Sequence, residues 1–248
     1  MFDGVRGVRG VIRSLRIYYG DRRRRGALEA HYARFVARGD LVFDVGSHVG
    51  DRVAAFRRLG ARVIAVEPQP ALARTLRLLY GGDSAVTVME SAVGRGPGTV
   101  ALKLNLDNPT VSTASDAFIA ASHGVPGWEG QQWNRTIEVP VTTLDALIAR
   151  FGAPRFIKID VEGYEAEALA GLSSPVPALS FEFTTIQRDI AAACVARCAE
   201  IGYRGFRASL GESLTFADDR KSAASEIAAW LSDLPVEANS GDIYATLD

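Results

Sequence analysis

The chain lacks the marks of several common protein classes. Two cysteines in 248 residues are too few for a disulfide framework. Cys194 and Cys198 lie four apart on a predicted helix, so they share a face and read as small buried thiols. No stretch approaches the roughly 18 apolar residues of a membrane span. The N-terminus also lacks the apolar block of a signal peptide, so a cytoplasmic protein is expected. A Tyr-x-x-x-Lys pair, as in many nicotinamide enzymes, is absent, and no internal repeat breaks the chain into arrays. What remains is an ordinary composition, 48% hydrophobic, enough to bury one sizeable core.

The formal net charge of −1 conceals an uneven distribution. Residues 1–25 hold eight arginines (Arg6, Arg9, Arg13, Arg16, Arg22, Arg23, Arg24 and Arg25) against Asp3 and Asp21, a charge of +6 that leaves −7 for the rest. Val8, Ile12, Leu15 and Tyr19 recur between them at helical spacing, giving an apolar stripe beside a basic face. Such a helix is either packed on the domain with its arginines in water or laid on an anionic surface, so residues 5–25 are a candidate peripheral membrane contact. Nucleic acid is not an expected partner, because the remainder is acidic and no aromatic and basic residues interleave along a strand. Residues 1–38 read as a basic helical extension. Residues 39–248 read as one domain, with an insertion at about 106–136.

The most informative stretch is Leu41-Val42-Phe43-Asp44-Val45-Gly46-Ser47-His48-Val49-Gly50. Its first five residues read as a buried parallel strand, and Val53, Phe56 and Leu59 open a helix just beyond the glycines. A strand, glycine turn and helix suit an adenosine-containing cofactor. The dinucleotide fingerprint needs a middle glycine where pyrophosphate meets the helix, but this turn is G-x-x-x-G. Asp44, two residues before it, is suited to a cationic group, which favours S-adenosylmethionine over NAD. A second strand, residues 61–66, ends in Glu67-Pro68, where a carboxylate can accept from both ribose hydroxyls. Each acid alone also fits a helix N-terminus. Together, at this spacing, they favour the cofactor.

The rest alternates strand and helix. A helical stretch from Leu28 to Ala37 is expected to cover the cofactor end of the sheet. Strands follow at 85–89, 98–105, 137–141, 155–160, 178–183, 203–208 and 242–246, with 98–105 read as an added strand; together with the two before them they supply seven core strands that end in a hairpin-like pair. Between Leu106 and Arg135 the chain is polar and rich in turns, which suggests an acceptor lid with a short helix near 114–122. Trp128 and Trp133 are candidates to present flat faces to a sugar or another ring, with His123 or Arg135 orienting its polar groups; each is equally a loop anchor.

Asp44-Val45-Gly46-Ser47-His48-Val49-Gly50, Val66-Glu67-Pro68, Ala92-Val93-Gly94, Thr143-Leu144-Asp145 and Ile157-Lys158-Ile159-Asp160-Val161-Glu162-Gly163-Tyr164-Glu165 resemble, in order, the motifs of the FkbM family of S-adenosylmethionine-dependent methyltransferases. The chain departs at His48, where the family more often has asparagine. The resemblance implies a class I methyltransferase fold, an α/β Rossmann-like three-layer sandwich with a mostly parallel seven-stranded sheet and an antiparallel last strand. It implies cofactor contacts from Asp44, Gly46, Ser47, His48, Gly50, Glu67, Pro68 and Asp160, with Ser91 and Ala92 at adenine. It also implies an oxygen acceptor, a hydroxyl on a sugar, glycan or polar secondary metabolite.

Asp160, Glu162 and Glu182 fall at strand ends near the expected methyl position. Asp160 or Glu182 is the candidate base, with Lys158 as electrostatic partner. The same acids have the oxygen chemistry for Mg²⁺, but spacing does not make them converge, so no metal is assigned. An alternative keeps these charges as a strand-end salt-bridge network. At the level of the whole chain, the alternatives are an NAD-dependent oxidoreductase and a noncatalytic module docking through its basic helix.

Overall fold

The computed structural model describes residues 2–248. In chain order its elements are α1 (Phe2–Gly20), α2 (Arg22–Tyr32), β1 (Leu41–Val45), α3 (Asp51–Arg58), β2 (Arg62–Val66), α4 (Pro70–Tyr80), β3 (Val86–Met89), β4 (Ala92–Val93) and β5 (Gly98–Leu104). Then come α5 (Asp116–Ser122), β6 (Arg135–Thr142), α6 (Leu144–Phe151), β7 (Phe156–Ile159), α7 (Glu165–Ala170), β8 (Ala178–Thr184), α8 (Arg188–Ile201), β9 (Gly205–Leu210), α9 (Ala224–Asp233) and β10 (Ser240–Thr246). No helix among the described residues is long and apolar enough to cross a membrane.

The main sheet runs β3-β2-β1-β7-β8-β10-β9. Its first five strands pair in parallel, while β10 lies antiparallel to both β8 and β9. This is the expected sheet with its antiparallel last strand. β1 and β7 are buried along their whole length, as central strands covered on both faces must be. One face packs Leu144, Leu169, Val195, Ile227 and Leu231 from α6 to α9 against Phe43, Ile157 and Phe181. The other packs Leu28, Tyr32, Val53 and Phe56 from α2 and α3 against Val42, Val63 and Phe156.

Three expectations shift. The helix before β1 starts and ends earlier than Leu28–Ala37, because Asp21 caps it by accepting from Arg23 N at 2.7 Å and the Tyr32 carbonyl accepts from Phe35 N and Val36 N in a closing turn. Its Leu28-Tyr32-Val36 side lies over the Val42 and Phe156 level of the sheet, so only its first turn reaches the strands' carboxyl end. The strands at 98–105 and 137–141 do not join the main sheet: β5 and β6 pair antiparallel, with β4 parallel to β6, in a separate sheet around Ala92, Leu102, Leu104 and Val139. Cys194 and Cys198 are free and buried, as expected.

Helix α1 packs through Gly10, Ser14 and Tyr18, a face offset from its apolar stripe. A Cβ at Gly10 would collide with the Leu106 carbonyl and the Pro109 ring, so this glycine lets the helix rest directly on the 106–111 backbone. Val8 and Ile12 consequently stay 59% and 44% exposed.

Phe56 is wholly buried, with its ring 4.6 Å from that of Tyr32. Urea titration of Phe56→Ala is expected to show a loss of about 3–5 kcal/mol. Leu78→Ala, on the open side of α4 at 80% exposure, should change stability by about 0.5 kcal/mol or less.

Candidate functional site

A cleft of about 920 Å³, counting its open mouth, lies beyond the carboxyl ends of the parallel strands. Ligand sites of open α/β sheets form there. Its floor is the turn after β1. Gly46 sits at φ 82° and a Cβ there would land on the Asp160 carbonyl, so the turn after β1 and the end of β7 touch only because residue 46 is glycine. Gly46 N and Ser47 N both donate to the Val66 carbonyl, at 2.9 and 3.1 Å, which ties the turn to β2. His48 adopts φ 50°, in the left-handed region that asparagine enters most easily among side-chain-bearing residues. Its N–H donates to Glu67 Oε2 at 2.8 Å, and its ring stands edge-on to Tyr18 with centroids 5.2 Å apart. Burial pushes the imidazole down to about 4, so it is neutral at physiological pH.

Glu67 forms the next part of the wall. Its other oxygen accepts from Gln69 N at 2.8 Å, and burial pushes the carboxyl up to about 8 despite these two donors. Pro68, Ser91, Ala92, Val93 and Leu102 continue into a mostly apolar recess, where Ser91 Oγ is buried with no partner among the described residues.

At the opposite wall Asp160, Glu162 and Glu182 bring one oxygen each within 4.8 Å of one another. Lys158 Nζ donates to Asp160 Oδ2 at 3.0 Å and Asp242 Oδ1 at 2.9 Å. Burial opposes the charge on Asp160, but Lys158 and Arg52 outweigh it and hold this carboxyl below its usual range. Burial, followed by the charge of Asp160, drives Glu162 and Glu182 well above it. Glu165, at the start of α7, latches the loop: its Oε1 accepts from Val161 N at 3.0 Å and Gly163 N at 3.2 Å. Glu162 is thereby held at φ 52°, rare for a residue with a side chain.

Gly46, Ser47, His48, Glu67, Pro68, Ser91, Ala92, Asp160, Glu162 and Glu182 therefore gather around one cleft. Asp44, Gly50 and Lys158 lie outside its lining. Asp44 is buried one layer behind it beside Lys158 and Asp51, with Oδ2 unpartnered among the described residues, and burial lifts its carboxyl to about 7. Gly50 caps α3 in the left-handed conformation, and its carbonyl accepts from Tyr80. The tryptophans also move away from the expected role. Trp128 and Trp133 stand edge-on to Phe118 and spend their indole N–H groups on Asn239 and the Val111 carbonyl. Both rings are half-buried, and these edge contacts and hydrogen bonds make them loop anchors. They, His123 and Arg135 lie outside the lining; the 106–136 segment instead contributes Thr110, Ser112 and Ala114.

Several wall residues had no local signal: Tyr18 from α1, Asp51 and Arg52 from the first turn of α3, Tyr164, and Glu212 from the turn after β9. Asp51 and Glu212 clamp two guanidiniums. Arg24 donates to both at 2.8 Å, and Arg52 reaches Asp51 at 2.8 Å and Glu212 at 3.0 Å. Arg52 is the chain neighbour of Asp51, but Arg24 and Glu212 come from distant segments, which no local pattern joins.

The methyltransferase FkbM domain matches residues 44–234. A hexuronic acid methyltransferase, AglP of Haloferax volcanii, is 26% identical over 154 residues, which is 61% of this chain and 57% of that protein. The chain thus spans little more than half the length of this relative. A precorrin-6y C5,15-methyltransferase from Geobacter metallireducens GS-15 aligns over 90% of this chain and 87% of its own, with 13% identity and a TM-score of 0.44. A SAM-dependent O-methyltransferase from Thermotoga maritima aligns over 89% and 64%, with 13% identity and a TM-score of 0.43.

Lys158 is 1% exposed and bridges two acids. Lys158→Met strands Asp242 and Asp160 together, and chemical denaturation should register a loss of about 3–5 kcal/mol. A change under about 1 kcal/mol would mean that the ammonium does not neutralise this face.

Proposed function

This chain belongs to the FkbM methyltransferase family, and we propose that it transfers the methyl group of S-adenosylmethionine to a hydroxyl oxygen of a sugar, glycan or similarly polar acceptor. The observation carrying this reading is the two-ended cleft, with the glycine turn and Glu67 on one side and the acidic trio on the other. The residues present fit the cofactor. Glu67 offers carboxylate lone pairs for ribose hydroxyls, and the recess of Pro68, Ala92, Val93 and Leu102 offers flat apolar walls for adenine, with Ser91 Oγ free to bond it. When bound, S-adenosylmethionine supplies a methyl group on a sulfonium that is already a strong leaving group.

The chain's own work is then positioning and proton removal. Gly46, Ser47 and His48 form the turn on which the cofactor rests, their N–H groups tying it to Val66 and Glu67, while Asp44 lies behind the wall. Asp160, kept ionised by Lys158, provides fixed negative charge beside the reacting centre. Glu182 in its ionised form is the proton acceptor: its Oε2 has no partner among the described residues, and burial, which raises its proton affinity, makes that form a stronger base. The proton of the acceptor hydroxyl passes to this oxygen as the new oxygen–carbon bond forms. The hexuronic acid activity named for AglP supports a sugar as acceptor class.

Calorimetric titration with S-adenosylhomocysteine should give micromolar binding, roughly −8 kcal/mol, while NAD gives none. Binding of NAD alone would remove this reading. Glu67→Ala should weaken S-adenosylhomocysteine by about tenfold or more, since it removes the two hydrogen bonds that fix the turn and the ribose acceptor. Glu182→Gln should cut turnover by about a hundredfold or more with cofactor affinity nearly unchanged; unchanged turnover on a methylated acceptor would assign the proton to another group.

A further inference from the structure

The acidic trio is under-compensated for an interior site. Lys158, the ammonium bonded to it, is already divided between Asp160 and Asp242. Glu162 is 7% exposed, and its carboxylate accepts no hydrogen bond among the described residues. Glu182 is half-buried, and its Oε2 is shut off from solvent with no partner among the described residues. Buried carboxylate oxygens have given up water, and such a loss is ordinarily matched by donors or by a cation. Here two neighbouring acids lack donors, and their oxygens converge with a third on a point open to the cleft.

We propose that Asp160, Glu162 and Glu182 hold a hard divalent cation of the Mg²⁺ or Mn²⁺ kind at the acceptor end of the cleft. Three carboxylate oxygens, with no thiolate among them, match the preference of such ions over softer metals. The cleft side leaves coordination positions for water and for acceptor oxygens. For its role, though not for its binding, the inference rests on the methyltransferase reading: a cation there orients a polyhydroxyl acceptor and makes its hydroxyl easier to deprotonate. Two other neutralisers compete, protons on the glutamates and the cationic groups of the cofactor itself.

The test is Mn²⁺ titration of the full chain after chelator treatment and desalting, followed by the electron paramagnetic resonance signal of free Mn²⁺, with S-adenosylhomocysteine binding measured in parallel. One Mn²⁺ per chain is expected. Glu162→Gln and Glu182→Gln should each weaken it by about tenfold or more, while circular dichroism and S-adenosylhomocysteine affinity stay close to the parent's. A parent chain that binds S-adenosylhomocysteine but takes up no Mn²⁺ at millimolar concentration overturns the proposal. Undiminished uptake in both variants does so too, because the ion then sits elsewhere. Loss of S-adenosylhomocysteine with Mn²⁺ retained reassigns the trio to the cofactor. Trio-dependent uptake of Mn²⁺ by a chain that binds no S-adenosylhomocysteine supports the cation site and removes the methyltransferase reading instead.

Discussion

A single buried ammonium organises the carboxyl end of this sheet. Strand register explains how it does so. Asp44, Lys158, Ser180 and Tyr244 form one row across β1, β7, β8 and β10, and Glu182 faces Asp242 in the next. Lys158 reaches Asp242 across β8, over a wholly buried serine at position 180; a large side chain there would block its path. The row below, Val42, Phe156 and Ala178, is apolar and belongs to the core under α2. One face of the sheet thus changes from hydrocarbon to a balanced charge to excess acid within two residue steps along the strands. Burial of ions is costly unless they are paired, so this gradient persists only while Lys158 stays charged; burial opposes that charge, but Asp160 and Asp242 raise its proton affinity well above an ordinary lysine.

The excess acid reaches the cleft through backbone geometry. Contact between Gly46 and the Asp160 carbonyl brings the turn after β1 against the end of β7, so a cofactor resting on the first lies beside the carboxylates of the second. Glu165 fixes the following loop by accepting two backbone N–H groups, which leaves Glu162 in its left-handed conformation at the wall. Strain of this kind persists where the surroundings over-determine it, and here a latch, a glycine contact and the Thr113 hydroxyl, which donates to the Glu162 carbonyl at 2.6 Å, all act on one loop.

What the sequence made legible was local. The β1 turn, the Glu67 strand end and the buried cysteines each depend on neighbours within a few residues, and each has a short-range signal. The convergence of Asp160, Glu162 and Glu182 was not legible, because it depends on the β7–β8 register and on a positive φ at a glutamate. Asp44 was read as a wall residue because it precedes the glycine turn. Strand alternation instead points it to the lysine layer, where it helps set the charge behind the site. Trp128 and Trp133 were open to two uses in sequence, and only the positions of Asn239 and the Val111 carbonyl decide between them.

The N-terminal helix shows the same limit from the other side. Its amphipathic stripe suggests Val8, Ile12, Leu15 and Tyr19 as the packing face, yet a helix packs where its backbone can come closest. Gly10 and Ser14 are one turn apart and small, so they outcompete larger apolar residues for the 106–111 segment. That choice swings Tyr18 onto His48 and the cleft, and sends Tyr19 to the Val49 carbonyl and the Tyr80 hydroxyl. Arg24, at the start of α2, then lies 5.1 Å over the Tyr18 ring and closes the Asp51 and Glu212 clamp. The segment matched by the family begins at residue 44, so Tyr18 lines the cleft from outside it. Because Tyr18 and Tyr19 rest on His48 and Val49, α1 and the turn after β1 set the shape of this side of the cleft together.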